Sequence, residues 1–492
     1  MFLSARPFAG GIHPKGFKEL TEDKYIDRLD SPDHLYLNLQ QRNGAKLVSL
    51  VEVGETVFKG QLLAKGSSDM AVPLHSPVNG KLEAIKEVTS PHPAGLKTSC
   101  MVLSNNGDPR WGEDHRPCDF RQLTPEQIIQ KVLDAGIVGL GGAAFPTGVK
   151  LRLARQAKVH TLLINGGECE PYLTCDDRLM REQAAEIVSG VQMMLKALGA
   201  QQAIIAVEDN KGEAIAMMAD AIAELPQISL KSVPSLYPMG SERHLIKAVT
   251  GEMVPPGQLS TKLGILVNNV ATARAVFHAV RFSRPLIERV ITVSGAAVEE
   301  PGNLVVPIGT LVSQLIAQRG GLKVDAARLV AGGPMMGQAL PSPFVPTDKS
   351  IGGVLALTES ELRQEQSHAC VRCGSCVEAC PMGLMPFQMA AYSRVSDWPQ
   401  AQHFGLDNCL LCGACSYVCP SKIPLVQYFQ HARGNLNAQR SMRQKSAHAR
   451  ELTQARQLRL AKEAEAKKAA KAAKASKRKR PARRRAASGG EE

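Results

Sequence analysis

Cysteines near the end of the chain repeat one spacing twice. In each copy two residues separate the first three cysteines, three residues precede the fourth, and a proline follows at once: Cys370, Cys373, Cys376, Cys380 and Pro381, then Cys409, Cys412, Cys415, Cys419 and Pro420. Three thiolates at two-residue intervals can bind three corners of a cubane [4Fe-4S] cluster, and the fourth is directed toward a neighbouring cluster. The spacing therefore predicts two [4Fe-4S] clusters and a role in electron transfer.

The fourth cysteines are expected to be exchanged between the clusters. One cluster would take Cys370, Cys373, Cys376 and Cys419, and the other Cys409, Cys412, Cys415 and Cys380. Gly374 and Gly413 leave space for backbone N–H groups to approach the sulfides, which tunes the reduction potential. A pair of zinc sites, each with four cysteine ligands, is the alternative, but zinc usually binds cysteine pairs separated by a dozen or more residues. The other cysteines, Cys100, Cys118, Cys169 and Cys175, follow no such spacing and are interpreted as ordinary thiols.

A glycine-rich run, GIVGLGGAAFPTGVK at residues 136–150, leads into a helical pattern. Glycine lets the backbone approach a phosphate group closely, and the start of the following helix favours an anion. The run is not the dinucleotide-binding fingerprint G-x-G-x-x-G, because its glycines differ in order and no strand of usual length precedes it. Spacing alone leaves two interpretations, a nucleotide or flavin site and a tight turn.

Four stretches in the same order resemble the NADH-oxidising flavoprotein subunit of respiratory complex I. The glycine run is similar to that family's GRGGAGFPTGxK loop, and residues 165–171 (NGGECEP) are similar to its NADExEP loop. Residues 237–242 (YPMGSE) resemble YxxGEE, and residues 268–272 (NNVAT) resemble NNVET. The sequence departs from these patterns at three positions: Leu140, Gly167 and Ala271 stand where the patterns have arginine, aspartate and glutamate. These departures concern the nicotinamide contacts more than the flavin site.

The resemblance implies a site for FMN, with NADH as the substrate. FMN would be held by the residues from Gly139 to Lys150 and around Asn268. NADH would be contacted by Lys150, Glu168 and Glu170, although a solvated acidic loop is the alternative for the two glutamates. The cofactor-binding candidates are Gly139, Gly141, Gly142, Phe145, Lys150, Asn165, Glu168, Glu170, Tyr237, Gly240, Glu242, Asn268, Asn269 and Thr272.

The elements that must position these residues indicate a multidomain protein of α/β and α+β class, since 492 residues exceed one hydrophobic core. Residues 1–110 are rich in short β-segments and resemble a lipoyl-like sandwich barrel. Its hairpin at residues 66–70 offers no carrier lysine, so a structural module is expected. Residues 120–285 alternate apolar runs with helical patterns, which predicts a parallel sheet in the flavin and NADH domain.

Two further domains and a tail follow. Residues 286–345 resemble the small β-grasp domain called SLBB, and residues 360–432 hold the cysteine motifs in a two-cluster ferredoxin-like domain. The tail at residues 436–492 is basic, because residues 441–492 contain 17 Lys and Arg against 5 Asp and Glu. Composition predicts that it is disordered. Attraction to anionic lipid is the second interpretation, and nucleic-acid binding is not favoured because no aromatic residue follows Phe429.

The sequence also bears on the compartment. No stretch reaches the roughly 18 consecutive apolar residues that indicate a membrane span. The first 16 residues lack the basic-then-apolar pattern of a secretory signal. The chain is therefore expected in the cytoplasm, where thiols stay reduced and a cysteine cluster binds metal.

The combination of domains is similar to the C subunits of the Rnf-type ion-translocating oxidoreductase complexes, over essentially residues 1–430. That resemblance implies a peripheral subunit on the cytoplasmic side of a bacterial inner membrane. Such a subunit would take hydride from NADH onto FMN and pass single electrons through its clusters to other subunits, with ferredoxin as a candidate redox partner and a reversible direction.

Two alternatives to this function remain. The first is the flavoprotein subunit of a soluble NAD-linked hydrogenase or formate dehydrogenase, although those relatives usually carry further cysteine motifs and lack the sandwich-like N-terminus. The second is an iron–sulfur regulator that binds nucleic acid through the basic tail, which salt-dependent DNA binding without NADH oxidation would support.

Overall fold

The computed structural model describes residues 7–41, 45–112, 115–362 and 366–478. An N-terminal segment, residues 7–24, precedes the first strand, β1 (Ile26–Arg28). It contacts the second domain at Tyr237 and the domain that contains the cysteine motifs at Ala379. Short 3-10 turns lie at Lys18–Leu20, Phe120–Gln122, Ser260–Leu263 and Leu406–Asn408.

The first module is an antiparallel β-sandwich barrel. Its strands are β2 (His34–Asn38), β3 (Val48–Ser49), β4 (Thr56–Val57), β5 (Leu62–Lys65), β6 (Leu74–His75), β7 (Gly80–Thr89) and β8 (Lys97–Asn105). They form sheets with the strand orders β2-β8-β7-β4 and β3-β5-β6. Alternate residues of the long strands point inward, so that Leu35, Leu82 and Leu103 are fully buried in the core. The predicted β-rich sandwich-barrel module is therefore confirmed.

The second domain alternates helices and strands. In chain order it contains α1 (Pro125–Asp134), α2 (Thr147–Gln156), β9 (Thr161–Gly166), α3 (Cys175–Glu182), α4 (Ala184–Leu198), β10 (Gln202–Glu208), α5 (Gly212–Ile222), β11 (Ile228–Val233), α6 (Glu242–Thr250), β12 (Ile265–Asn269) and α7 (Val270–Phe282). α1 begins at a capping box, because Thr124 Oγ1 accepts the N–H of Gln127 at 3.2 Å and Gln127 Oε1 accepts that of Thr124 at 2.8 Å. The strands are parallel in the order β11-β10-β9-β12, which confirms the predicted parallel sheet.

The β-grasp unit extends beyond the predicted boundaries of residues 286–345. It contains β13 (Glu288–Ser294), β14 (Gly302–Pro307), α8 (Val312–Gln318), β15 (Arg328–Ala331), β16 (Gln338–Ala339) and β17 (Gly353–Leu357), and its sheet has the order β1-β14-β13-β17-β15-β16. β1, placed by prediction in the first module, runs parallel to β14 with Ile26 opposite Asn303. This pairing covers a sheet edge that would otherwise leave its backbone groups unpaired.

The cysteine domain is built from short helices. They are α9 (Ser375–Glu378), α10 (Pro386–Arg394), α11 (Trp398–His403) and α12 (Ala414–Tyr417), followed by the long helix α13 (Leu425–Arg478). α9 and α12 each begin directly after a glycine with a φ of +82°, Gly374 and Gly413, a conformation that other residues rarely adopt. Met389, Leu406 and Phe429 belong to the core of this domain.

Residues 436–478 are helical in the structure, which corrects the prediction of disorder for this part of the tail predicted at residues 436–492. α13 continues to Arg478, and its described side chains beyond Leu436 are exposed. Alanine, lysine, arginine and glutamine have high helix propensity, and residues 435–478 contain neither glycine nor proline. The last predicted tail residues, 479–492, lie outside the described part of the chain. Of the helices that the structure describes, none is both long and apolar enough to cross a membrane.

The close packing of α4 on α7 gives a test of the second domain. A Cβ atom on Gly190 in α4 would lie 1.8 Å from the carbonyl oxygen of Ala273 in α7. Gly190→Ala is therefore expected to lower the thermal unfolding midpoint measured by circular dichroism, because overpacking of this kind costs about 1–3 kcal/mol.

The matched control is Gly434→Ala. Gly434 also lies within a helix, but apart from its chain neighbours and the backbone of its own helix no atom of the described chain comes within 4 Å of its Cβ position. Alanine is favoured over glycine in a helix by up to ~1 kcal/mol, so this variant should be at least as stable as the wild type. Equal midpoints for Gly190→Ala and the wild type would contradict the packing.

Candidate cofactor sites

The carboxyl ends of the neighbouring strands β9 and β12 carry polar residues. β9 ends at Asn165 and Gly166, and β12 ends at Asn268 and Asn269, with Asn269 opposite Asn165 in the parallel register. Ligands of open parallel sheets bind in the crevice outside this edge. The side chain of Asn268 is buried, and its Nδ2 atom has no hydrogen-bond partner among the described residues.

The glycine loop packs on the same sheet edge. Leu140 donates its N–H to Oγ1 of Thr272 at 2.9 Å, and a Cβ atom on Gly141 would lie 3.5 Å from Cβ of Asn269. Gly142 has a φ of +101°, which other residues rarely adopt, and no described residue outside its chain neighbours comes within 4 Å of its Cβ position. The loop therefore contacts the junction of β12 and α7 and leaves space beside Gly142.

Charged and aromatic side chains lie at the open side of this crevice. Lys150 donates from Nζ to a backbone carbonyl of β12 at 2.5 Å, and its Nζ lies 3.4 Å from Oε2 of Glu242. Phe145 is 39% exposed. Asn165 donates from Nδ2 to the carbonyl oxygen of Gly240 at 2.9 Å, which ties the YPMGSE segment to β9.

The structure thus brings most of the predicted flavin-binding residues together. They are Gly139, Gly141, Gly142, Phe145, Lys150, Asn165, Gly240, Glu242, Asn268, Asn269 and Thr272. Buried polar atoms are normally hydrogen-bonded, yet Oγ1 of Thr147 and Nδ2 of Asn268 are buried without a partner in the described chain. Since both atoms belong to the elements around the crevice, they can bind polar atoms of FMN, and the residues present fit this cofactor.

The acidic loop that follows β9 surrounds the ammonium group of Lys18. Lys18 donates from Nζ to the carbonyl oxygens of Glu168, Glu170 and Leu173 at 2.8, 3.1 and 2.5 Å. Burial lowers the pKa of Lys18, because it disfavours the charged form. The conformation of the loop is therefore fixed by a residue that lies 150 positions before Glu168.

The carboxylate of Glu168 caps helix α3. Its Oε1 atom accepts the N–H of Asp176 at 3.0 Å and the thiol of Cys175 at 3.2 Å, and Oε2 accepts the N–H of Asp177 at 3.3 Å. The start of a helix favours negative charge, which suits this position. Glu168 is only 6% exposed, so the alternative of a solvated loop is wrong for this residue. Its contact with NADH stays a prediction.

The carboxylate of Glu170 faces the loop at residues 332–337. Its Oε2 atom accepts the N–H of Met335 at 3.0 Å, and a Cβ atom on Gly333 would lie 2.1 Å from the same oxygen. Burial raises the pKa of Glu170 to about 7. Glu170 therefore joins the flavin domain to a loop of the β-grasp unit, and its carboxyl group changes protonation near neutral pH.

Asp176 and Arg289 lie beside the crevice and were not predicted from the sequence. Asp176 Oδ2 accepts Nδ2 of Asn269 at 2.6 Å, and burial together with the charge of Glu168 raises the pKa of Asp176 to about 7. Arg289, in β13, donates from Nη2 to the carbonyl oxygen of Leu140 at 3.2 Å and so supports the glycine loop. Asp176 is close to the acidic loop in sequence, whereas Arg289 follows Leu140 by 149 residues and nothing local marks it.

Four cysteines, three of them buried and Cys409 half-buried, line one pocket. We call Cys380, Cys409, Cys412 and Cys415 the buried cysteine set, and the pocket is completed by apolar residues that include Leu384, Met389 and Phe429. The first motif provides Cys380 and the second provides the other three, which is the exchange that crossed ligation requires. Burial raises the pKa of Cys412 to about 12. Four sulfurs in an apolar pocket fit a [4Fe-4S] cluster, whose irons stabilise the thiolate form.

The remaining motif cysteines lie nearer the surface. We call Cys370, Cys373, Cys376 and Cys419 the outer cysteine set. Cys370 and Cys373 are exposed, and the other two are half-buried. Cys376 lies close enough to Cys370 and Cys373 for their charges to raise its pKa, after the larger effect of burial. A cluster bound by this set would face solvent.

The buried cysteine set lies directly against the parallel domain. Tyr237 donates its hydroxyl group to the backbone carbonyl of Cys412 at 2.5 Å, and Nε2 of His244 lies 3.0 Å from the backbone oxygen of Pro381. A Cβ atom on Gly413 would lie 3.0 Å from the carbonyl oxygen of Met335. Tyr237, predicted to bind flavin, therefore contacts the cysteine pocket with its hydroxyl group.

The arrangement defines an electron-transfer protein that uses a flavin and iron–sulfur clusters. Models of four families match consecutive parts of the chain: the RnfC barrel sandwich hybrid domain at residues 6–108, the Nuo51 FMN-binding domain at residues 132–278, the SLBB domain at residues 290–339 and a 4Fe-4S dicluster domain at residues 369–423. Together with the donor sets described above, these matches show that the protein carries FMN and two [4Fe-4S] clusters.

Relatives that match most of the chain identify the family. The C subunit of the ion-translocating oxidoreductase complex of Rhodobacter capsulatus is 44% identical over 440 residues, which cover 89% of this chain and 85% of the relative. The C subunit of the same complex from Haemophilus influenzae is 40% identical over 444 residues, which cover 90% of this chain and 68% of the relative. The chain belongs to this family, the C subunits of Rnf-type ion-translocating oxidoreductase complexes, and is a redox subunit of an electron-transport complex.

A solved structure is similar to part of the chain. The NAD+-reducing [NiFe]-hydrogenase in its H2-reduced state is 21% identical, with a TM-score of 0.45, and the match covers 65% of this chain and 62% of that one.

Crossed ligation can be tested with Cys380→Ala. We expect this variant to lose the cluster of the buried cysteine set and to keep the cluster of the outer set, because the latter retains all of its thiolates. Iron should fall by roughly half, since each cluster contributes four irons, and the EPR spectrum of the reduced protein should show one remaining cluster. Cys100→Ala, a change at a buried cysteine in β8, is the control and should keep both clusters. Selective loss of the outer cluster in Cys380→Ala would show that the ligands are not crossed.

Proposed function

We propose that the protein takes electrons from NADH at the crevice beside the glycine loop and passes them singly through its two clusters to other subunits of a membrane-bound, ion-translocating complex. The observation that carries this proposal is the direct contact of the parallel domain with the buried cysteine set through Tyr237. FMN, when bound, supplies the exchange between two-electron hydride transfer and the single-electron steps of iron–sulfur clusters.

The residues of the crevice bind and orient the reactants. The glycine loop lets FMN approach the backbone closely, and the ammonium group of Lys150 suits the negative charge of FMN and of the dinucleotide phosphates. The side chain of Lys150 is 29% exposed, so of the three proposed NADH contacts it is the most accessible to the dinucleotide. Glu168 and Glu170 lie deeper, and their carboxylates already bind α3 and the loop at residues 332–337.

The two cysteine sets give the path a direction. The buried set contacts the domain that holds the crevice, and the outer set has two exposed thiols. Electrons from NADH therefore enter the buried set first and leave from the outer set. An exposed cluster edge allows a partner subunit or ferredoxin to approach, and the same path serves electron flow in the opposite direction.

The proposal places the protein at the cytoplasmic side of a bacterial inner membrane as a peripheral subunit. Helix α13 supports a contact with anionic lipid, because residues 441–478 carry 12 Lys and Arg against 3 Asp and Glu. Each basic residue near such a surface contributes about 1 kcal/mol. The exposed part of α13 is basic around its whole circumference, so charge rather than insertion would hold it at the headgroups.

The flavin site is tested by the double variant Gly141→Val and Gly142→Val. A valine at position 142 cannot easily adopt a φ of +101°, and side chains at both positions would keep FMN away from the backbone. We expect purified protein that retains its iron and lacks FMN. NADH should then fail to reduce the clusters, while dithionite still reduces them.

Gly212→Val is the control for the glycine loop. Gly212 is exposed at the start of α5, and apart from its chain neighbours and the backbone of α5 no atom of the described chain lies within 4 Å of its Cβ position. This variant should keep FMN at the wild-type level. Stoichiometric FMN in the loop double variant would reduce the loop to an ordinary turn and contradict the assignment.

Deletion of residues 441–492 tests the lipid contact. We expect the truncated chain to lose cosedimentation with vesicles that contain phosphatidylglycerol, because it loses nearly all of the net positive charge. The wild-type interaction should weaken with added salt. FMN, iron and NADH oxidation should be unchanged, since the deleted part of the helix is exposed wherever its side chains are described. Equal cosedimentation of the two proteins would rule out the tail as the lipid contact.

A further inference from the structure

Tyr237 is the residue through which the parallel domain reaches the backbone of a cluster ligand. Its side chain is 2% exposed, and its hydroxyl group donates to the carbonyl oxygen of Cys412 at 2.5 Å. The ring packs in a small apolar cluster with Ala379 and Ala414, residues that lie next to ligands in the two motifs. Burial raises the pKa of Tyr237 above its ordinary range, so the phenol keeps its proton.

The backbone of Tyr237 is held by the N-terminal segment. Ile12 and Tyr237 exchange two backbone hydrogen bonds, both of 3.0 Å. The preceding residue, Gly11, donates to the carbonyl oxygen of Ala379 at 3.2 Å, and a Cβ atom on Gly10 would lie 2.5 Å from the carbonyl oxygen of Cys380. One stretch of chain thus fixes Tyr237 and the segment that carries Cys380, so the hydroxyl group has a defined position relative to the buried cysteine set.

A fixed hydroxyl dipole at this position bears on the energy of reduction. The hydrogen of the Tyr237 hydroxyl group, its positive end, points toward the peptide of Cys412. Reduction adds one electron to a cluster, and no covalent bond forms or breaks. Positive dipole ends close to a cluster favour the form with the extra electron, and the effect is large in a buried, weakly polarisable setting.

We propose that Tyr237 is a positioning residue that raises the reduction potential of the cluster in the buried cysteine set. The hydroxyl group makes this cluster a better acceptor for electrons that leave the crevice. This inference rests on the proposed function in two respects: the buried cysteine set binds one cluster, and electrons reach that cluster from the crevice.

The test is Tyr237→Phe in the full chain, purified without oxygen. This change keeps the ring in its apolar cluster and removes only the hydroxyl group. Both clusters are titrated with dithionite and redox mediators and followed by EPR. We expect the midpoint potential of one cluster to fall beyond the error of the fit, the other to stay at its wild-type value, and iron and FMN contents to be unchanged.

Tyr172→Phe is the matched control. Tyr172 is 3% exposed and donates its hydroxyl group to Oε1 of Glu361 at 2.8 Å, away from both cysteine sets. This variant loses a hydrogen bond of the same kind, and neither cluster potential should change. A general effect of removing a buried tyrosine hydroxyl group would shift the potentials in both variants and would overturn the proposal.

Cys373→Ala identifies the cluster that responds. It removes a ligand of the outer set, so the EPR signal that remains belongs to the cluster of the buried set. When Tyr237→Phe is added to this variant, the potential of that cluster should still fall. Unchanged potentials, a shift of the outer cluster alone, or loss of iron in Tyr237→Phe would each overturn the proposal. The titration uses no NADH, so it tests the role of Tyr237 separately from the proposed function. If NADH does not reduce the wild-type clusters but Tyr237→Phe still shifts the potential, only the proposed function is contradicted.

Discussion

A buried ammonium group organises the loops between the two kinds of cofactor. Lys18 donates to three backbone carbonyl oxygens of the acidic loop. Burial lowers the pKa of this ammonium group, and the three carbonyl acceptors offset the cost of keeping it charged while the loop is closed around it. Because the loop is closed, the carboxylate of Glu168 reaches the start of α3 and that of Glu170 reaches Met335.

The residues held by the acidic loop contact both cofactor sites. On one side, Asp176 holds the amide of Asn269, which packs against the glycine loop. On the other side, the loop that contains Met335 touches the second cysteine motif at Gly413. The crevice and the buried cysteine set are therefore parts of one packed framework. Their separation is set by close packing, which gives the electron carriers a fixed order.

Patterns that are local in sequence predicted much of the fold and the site. Alternating helices and apolar runs predicted the parallel sheet, and the cysteine spacing predicted the meeting of Cys380 with the second motif, which the structure shows. Contacts between distant segments left no such pattern, as with Arg289 and the carbonyl of Leu140 or β1 and β14. The described part of the tail, residues 436–478, was wrongly predicted to be disordered because it has no apolar face. Helix propensity, summed over its many alanine and lysine residues, nevertheless favours a helix.

The N-terminal segment has a consequence for synthesis of the chain. Ile12 and its neighbours leave the ribosome long before their partners Tyr237, Asn303 and Ala379. At the usual rates of translation, the segment waits about 20–70 s for the last of them. We infer that the flavin domain and the cysteine domain dock only after nearly the whole chain is made. A chain that ends before Ala379 therefore lacks the contacts by which the N-terminal segment joins the flavin domain to the cysteine domain.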